Sequence, residues 1–395
     1  MNDIVIIGAG PAGFMAGISA ARSGKRVVII EKNPKPGKKI LASGGGRCNI
    51  SNSRLDSSFY RGDAVFLDRI LKKFSGKDLL SFFDGLGVRF KEESLGRIIP
   101  VTEQAVTVLD ALLEECASLG VELKCGEEVV SVKKGNTGFT TTTGRGEYNA
   151  GKIIIAGGGL SYQKLGNSVK GAALAKGFGH KIVEQRPALV PVLLSGSLFR
   201  KFQGVKHEAV ITVRQNGREK IFPGDVLFTS YGISGPAAMD ASSLMQVKGT
   251  ESYINFLPGF EPDASGYIFT AWQKHPERSV CSLFSGILNK KIVAVLLPEI
   301  KVNPAAALKS FSREGINDIV AKMMNWKLEV KGVKSFEDAM LTSGGVSTAE
   351  INPETLESKL VKGLYFAGEI IDVDGISGGY NLQFAFSSGW IAGKG

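Results

Sequence analysis

At 395 residues the chain is long for one compact core, so two or three domains are expected. With 43% hydrophobic and 22% charged residues it reads as soluble and globular. No apolar run approaches the ~20 residues that cross a bilayer, the four cysteines form no C-x-x-C pair, and the three histidines have no metal-ligand spacing; a membrane span, a disulfide framework and a zinc site are all unsupported. The opening MNDIVIIGAG has no basic leader and breaks at Gly8, so the cytoplasm is the expected location. The formal charge of +10 is dispersed apart from a modest cluster between Arg22 and Arg47. It reads as a solvated basic surface, and nucleic acid is not the expected partner.

In chain order, Ile4 to Ile7 is a short apolar strand, followed by Gly8-Ala9-Gly10-Pro11-Ala12-Gly13 and a helix with small residues at Ala12, Ala16, Gly17, Ala20 and Ala21. That small face suits close packing on a sheet. Val27 to Ile30 is a second strand ending at Glu31, 18 positions after Gly13. This is the G-x-G-x-x-G dinucleotide fingerprint in its proper setting: Gly8 for the turn, Gly10 for approach to a pyrophosphate, Gly13 for helix–strand contact, and Glu31 for a ribose hydroxyl. The free N–H groups of the helix N-terminus, at Pro11-Ala12-Gly13, then face phosphate.

A helix is expected from Val106 to Leu119, then strands near Val121–Lys124, Val129–Lys133, Phe139–Thr143 and Lys152–Ala156, the last running into Gly157-Gly158-Gly159. No second fingerprint follows, so only one dinucleotide cradle is visible. Ile211–Gln215, Asn216-Gly217 and Arg218–Phe222 read as a hairpin with a type I′ turn. Residues 262–325 carry helical periodicity, with Pro298 and Pro304 as breakers. Gly363 to Glu369 is a strand ending in Gly368-Glu369; Asp372, Asp374, Gly375 and Ser377 to Gln383 lead into a helix beginning near Phe384.

The segments KKILASGGGRCNISN, AGGGLSY, RPALVPV, FTSYGISGP and GLYFAGEIIDVDGISGGYNLQFAFSSGWIAG together resemble the bacterial HI0933-like flavoprotein family, also described as aminoacetone oxidase-like or NAD(P)/FAD-dependent oxidoreductases. The likeness spans essentially the whole chain. It implies an α/β fold with a Rossmann-like FAD-binding domain of the fumarate reductase/glutathione reductase type, carrying an inserted antiparallel β domain and a small helical domain. The expected boundaries are 1–188 with 337–395 for the FAD domain, 189–260 with 326–336 for the β domain, and 261–325 for the helical domain.

The resemblance further implies tightly bound, noncovalent FAD. Its AMP half would lie on the fingerprint, Glu31 and Lys32; its diphosphate and ring would lie against Ser43, Gly44, Gly45, Gly46 and Arg47. Val129, Ala156, Gly157 and Gly158 would contribute further contacts, with the ribitol near Gly368, Glu369 and Asp374. Backbone N–H groups at Asn381, Leu382 and Gln383, at a helix N-terminus, would stabilise charge on the reduced ring. Glycine at 44–46 admits close backbone approach that a Cβ would block. Arg47 either supplies charge to the ligand or pairs with a carboxylate nearby. Cys48 reads as a small packed hydrophobe, since no resolving thiol lies near it. Tyr162, Tyr231 and Tyr380 are candidates to line a substrate pocket, whereas His180, His207 and His275 read as surface or loop residues. One departure is plain: Gln163 replaces the proline of the family's SYP element, and Lys170 stands where relatives carry an acid.

The expected activity is hydride transfer between flavin N5 and a small molecule, with O₂ or transient NAD(P)H as redox partner. No side chain is singled out as the acid or base. A basic flavoprotein acting on RNA, or a flavin-binding protein without turnover, are the alternatives.

Overall fold

The computed structural model describes residues 2–162, 170–260 and 264–395. Contacts divide the chain into two compact units, residues 1–187 with 340–395, and residues 188–339.

The first unit is built on a parallel sheet. Strands β1 (Asn2–Ile7) and β2 (Val27–Glu31) flank helix α1 (Pro11–Arg22), and helix α2 (Lys38–Ala42) follows. Strands β3 (Glu122–Cys125), β4 (Gly146–Ile155) and β5 (Leu364–Phe366) complete the parallel order β3-β2-β1-β4-β5. The register pairs Ile4 with Val27 and Ile7 with Ile30 on one side, and Ile7 with Ile155 on the other. Near-continuous runs such as VVIIE suit this position, because strands covered on both faces have no polar side to alternate with. The N-terminal half of β4 instead pairs antiparallel with Phe139–Thr143. It therefore starts six residues before Lys152, where the sequence reading put it.

Strand direction places the carboxyl ends of β1, β2, β4 and β5 along one edge, so Gly8, Glu31, Ala156 and Gly368 all emerge there. Such an edge is where open α/β sheets bind ligands.

The last helix, α3 (Tyr380–Lys394), begins four residues earlier than its apolar run suggested. One glycine sets its boundary: Gly379 sits at φ 102° as N-cap, and a Cβ there would lie 2.2 Å from the Ser51 carbonyl oxygen. This helix corrects the expectation for α1. The small residues of α1 serve two neighbours, with Gly17 against Ile29 of the sheet, and the backbone of Ala12 and Ala16 against α3. There, a Cβ on Gly389 or Gly393 would stand 2.3 Å from the Ala12 or Ala16 carbonyl oxygen, and Ser19 Oγ donates to the Trp390 carbonyl at 2.8 Å.

The second unit carries a seven-stranded sheet containing the expected hairpin, Lys206–Gln215 with Arg218–Phe228. Its turn residues Asn216 and Gly217 both have positive φ, 49° and 73°, as a type I′ turn requires. Helices Ala264–Lys274, Val280–Phe284, Lys290–Glu299 and Arg313–Met324 occupy the periodic stretch. Pro298 does not break the third of these; it sits in its last turn. Helices and sheet share one core, in which Phe202, Phe228 and Phe256 join Phe284, Ile292 and Leu296.

Candidate cofactor site

The fingerprint turn is held by contacts as much as by conformation. Gly8 has φ 103°, and a Cβ on it would lie 2.6 Å from the Ala156 oxygen; one on Gly13 would lie 1.8 Å from the Gly8 oxygen. Gly10 differs, because nothing lies within 4 Å of where its Cβ would stand. Pro11 opens α1, Gly10 is its N-cap without a side-chain cap bond, and the first intrahelical bond runs from Phe14 N–H to the Gly10 carbonyl. The N–H groups of Ala12 and Gly13 are thus the helix's open donors.

Glu31 is 8% exposed and ties the turn together. One carboxylate oxygen accepts the Ala9 N–H at 2.9 Å; the other accepts the Asn33 backbone N–H at 2.8 Å and the Asn33 side-chain N–H at 2.7 Å. Four lone-pair sites leave one for a ligand hydroxyl. Lys32 stands beside it, its ammonium pKa lowered by burial against the opposing pull of Glu128 and Glu31. Glu127 N–H donates to the Glu31 carbonyl at 2.9 Å, and Val129 just beyond it is buried with Val5, Val28 and Ile30. Val129 is therefore part of a core cluster. Gly157 and Gly158 continue β4 past Ala156, with Gly158 at φ 73°.

Between Gly37 and Cys48 the chain forms a short helix and an exposed loop. Ser43 Oγ donates to the Ile40 carbonyl at 2.6 Å, closing α2. Gly44, Gly45 and Gly46 follow at φ 57°, 66° and 91°, and a Cβ on Gly45 would meet nothing within 4 Å. Arg47 has the carboxylate partners that one of its two expected roles requires: its guanidinium pairs with Glu93 and, at 3.2 Å, with Glu103. Cys48 is fully buried, and burial pushes its thiol up to about 12, which leaves no thiolate for chemistry.

At the other end of the unit, Glu369 meets Lys39, Ser161 and Thr342, three partners the sequence did not single out. Asp374 is 2% exposed, accepts from Ser343 Oγ at 2.8 Å and pairs with Arg61 at 2.6 Å; burial still raises its pKa, and raises that of neighbouring Asp372. Asp374 orders its loop and has little surface to offer a ligand. Asn381 does likewise, its side-chain oxygen accepting the Gly375 N–H at 2.7 Å and its side-chain N–H donating to the Gly375 carbonyl at 2.8 Å. The Gln383 N–H, expected to face the cofactor, is committed inside α3 to the Gly379 carbonyl at 3.0 Å. The open donors of this turn are those of Asn381 and Leu382.

Two aromatic and histidine expectations change. Tyr380 is 3% exposed, stacks on Phe59 at 4.8 Å and donates to the Arg54 carbonyl, so it is core rather than pocket lining. His180 is no surface residue: it is 3% exposed, lies edge-on to Phe366, and bonds Glu350 at 3.0 Å and Ser358 at 2.8 Å. Tyr162 stays a candidate, held at φ 56° with the Lys39 ammonium 5.9 Å from its ring centre. Tyr231 belongs to the other unit, under Lys334. Gln163 to Val169 lie outside the described residues, and Lys170 pairs with Glu128 at 2.7 Å.

The residues present fit FAD. Two helices begin on glycines with no side-chain cap, space stands open in front of Gly10 and Gly45, and carboxylates sit at the ends of β2 and β5. Anionic diphosphate suits the first feature and sugar hydroxyls suit the last. Among the described residues no cluster suits a metal ion, and no helix is long and apolar enough to cross a membrane.

The model of the HI0933-like protein Rossmann domain matches residues 2–395. The ribosomal RNA dihydrouridine synthase of Escherichia coli is 35% identical over 99% of this chain and 97% of its own length. The 3-dehydro-bile acid delta(4,6)-reductase of Clostridium scindens is 36% identical over 100% of this chain and 98% of its own. Among solved structures, 3-ketosteroid delta1-dehydrogenase of Sterolibacterium denitrificans shares the fold, with TM-score 0.54 and 12% identity over 99% of this chain and 98% of that one. With the cradle and its open donors, these likenesses place the chain in the HI0933-like family as an FAD-dependent oxidoreductase.

Proposed function

We propose that this chain is a reductase that saturates a carbon–carbon double bond conjugated to a ring carbonyl, drawing its electrons from NAD(P)H by way of noncovalently bound FAD. One observation carries the reading: the two relatives described above are named for reductive chemistry, and uridine and a 3-oxo-Δ4,6 steroid share a carbonyl-conjugated alkene. FAD, when bound, supplies hydride transfer. The chain's own part is binding and electrostatics. Ala12 and Gly13 offer N–H groups to phosphate, Glu31 and Glu369 offer carboxylate oxygens to the sugars, and Asn381 with Leu382 offers N–H groups where negative charge needs support. The transient visit of NAD(P)H needs no second cradle.

An RNA-borne substrate is the second reading, favoured by the formal charge of +10 and by the rRNA-named relative. A single anaerobic experiment addresses both. The holoprotein is bleached with NADPH or NADH, then offered a cyclic enone or unmodified ribosomal RNA, and recovery of the flavin absorbance is followed. Reoxidation by either, with a product two hydrogens heavier, supports the reading and names the substrate class. Indifference to nicotinamides together with peroxide release from aminoacetone would replace it with an amine oxidase.

A further inference from the structure

We infer that Lys39 is a cofactor-positioning residue, the counter-cation that lets the Glu369 carboxylate stand beside the diphosphate cradle; this rests on the FAD reading above. The observation is a juxtaposition of three segments. The Gly37 N–H donates to the Ala9 carbonyl at 3.0 Å, pinning the start of α2 to the fingerprint turn. Two residues on, the Lys39 ammonium forms an ion pair with Glu369, the two side chains being 20% and 14% exposed. The residue before Glu369 packs against the first turn of α1, since a Cβ on Gly368 would lie 2.8 Å from the Ala12 Cβ.

Glu369 is held there firmly. Its second oxygen accepts the Thr342 N–H and the Ser161 hydroxyl, each at 2.9 Å, and Gly159 leaves it room, because a Cβ there would come within 2.6 Å of it. A fixed, half-desolvated carboxylate one residue from that contact would repel the phosphates that the Ala12 and Gly13 N–H groups attract. Lys39 cancels that charge. Adjacent Lys38 does not share the task, for its ammonium donates to the Asn33 side chain at 3.1 Å, and Arg61 is engaged by Asp374.

The test measures FAD affinity, not turnover, by titrating apoprotein with FAD and following flavin fluorescence. K39M is expected to weaken binding at least ~10-fold, K39R to stay within about threefold of wild type, and K39M/E369Q to bind as tightly as E369Q alone. K39M binding as tightly as wild type overturns the inference, and so does a double variant weaker than E369Q by as much as K39M is weaker than wild type, which would give the ammonium a role independent of Glu369. Should K39M not fold by circular dichroism, a double variant that folds and binds FAD supports charge compensation, and one that fails alongside it counts against. A wild-type apoprotein that ignores FAD sinks the cofactor reading itself, whereas wild-type binding with an unaffected K39M sinks this inference alone.

Discussion

Two glycine clusters serve the candidate site, and they use glycine for opposite reasons. In the turn from Gly8 to Gly13, two of the three fingerprint glycines are places where other backbone stands: the Gly8 oxygen fills the space of a Gly13 Cβ, and the Ala156 oxygen that of a Gly8 Cβ. In the loop from Gly44 to Gly46 conformation decides, since all three have positive φ and Gly45 faces open space. The first cluster is an internal joint. The second is a surface left clear of side chains, which would let a ligand reach its backbone. Spacing alone does not distinguish the two.

Substitutions sharpen this contrast. Gly13→Ala should have the largest effect: a Cβ 1.8 Å from a carbonyl oxygen forces α1 off β1, at a cost above ~3 kcal/mol, so FAD binding and thermal stability fall together. Gly389→Ala, 2.3 Å from the Ala12 oxygen in the joint between α1 and α3, should cost about 2–3 kcal/mol and also lower both. Gly45→Ala meets no atom and pays only for its left-handed backbone, ~1–2 kcal/mol, yet it should reduce FAD affinity out of proportion to the melting-temperature change. A Gly45→Ala protein that binds FAD like wild type would end the contrast.

Neither cluster contains a titrating group, so acid sensitivity should arise elsewhere in the unit, at His180. Burial lowers the pKa of this imidazole below its usual 6.5 against the opposing pull of Glu350. The folded state therefore prefers the neutral ring, and the unfolded chain takes up the proton first. Stability present above pH 6.5 is lost as the pH falls from there through the lower folded value. Melting temperatures between pH 7.5 and 5.5, on the order of one unit either side of 6.5, should decline less steeply in His180→Gln than in wild type. The smallest effect belongs to Arg47→Ala: its partners Glu93 and Glu103 are surface carboxylates, and FAD affinity should stay within about twofold. A tenfold loss would instead make Arg47 a ligand group.

The fingerprint, the parallel strands and the type I′ hairpin were legible because their determinants are local: glycine spacing, an apolar run, an Asn-Gly pair. The partners of the site were not. Lys39, Ser161 and Thr342 converge on Glu369 from three stretches of chain, and Arg61 sits in a segment with no motif, so only the fold brings it to Asp374. His180 looked like a loop residue because Phe366 and Ser358, which enclose it, lie more than 170 positions away. The start of α3 was misplaced because the apolar run begins at Phe384, while the boundary is set by steric contact between Gly379 and Ser51.

The embrace of α1 and α3 spans 371 positions between Ser19 and Trp390. During synthesis α1 leaves the ribosome long before α3 and waits, with small residues bared, until the chain has been translated past Trp390. On the FAD reading, flavin capture would wait for α3. A nascent polypeptide arrested before residue 380 would expose this groove to chaperones and stay colourless.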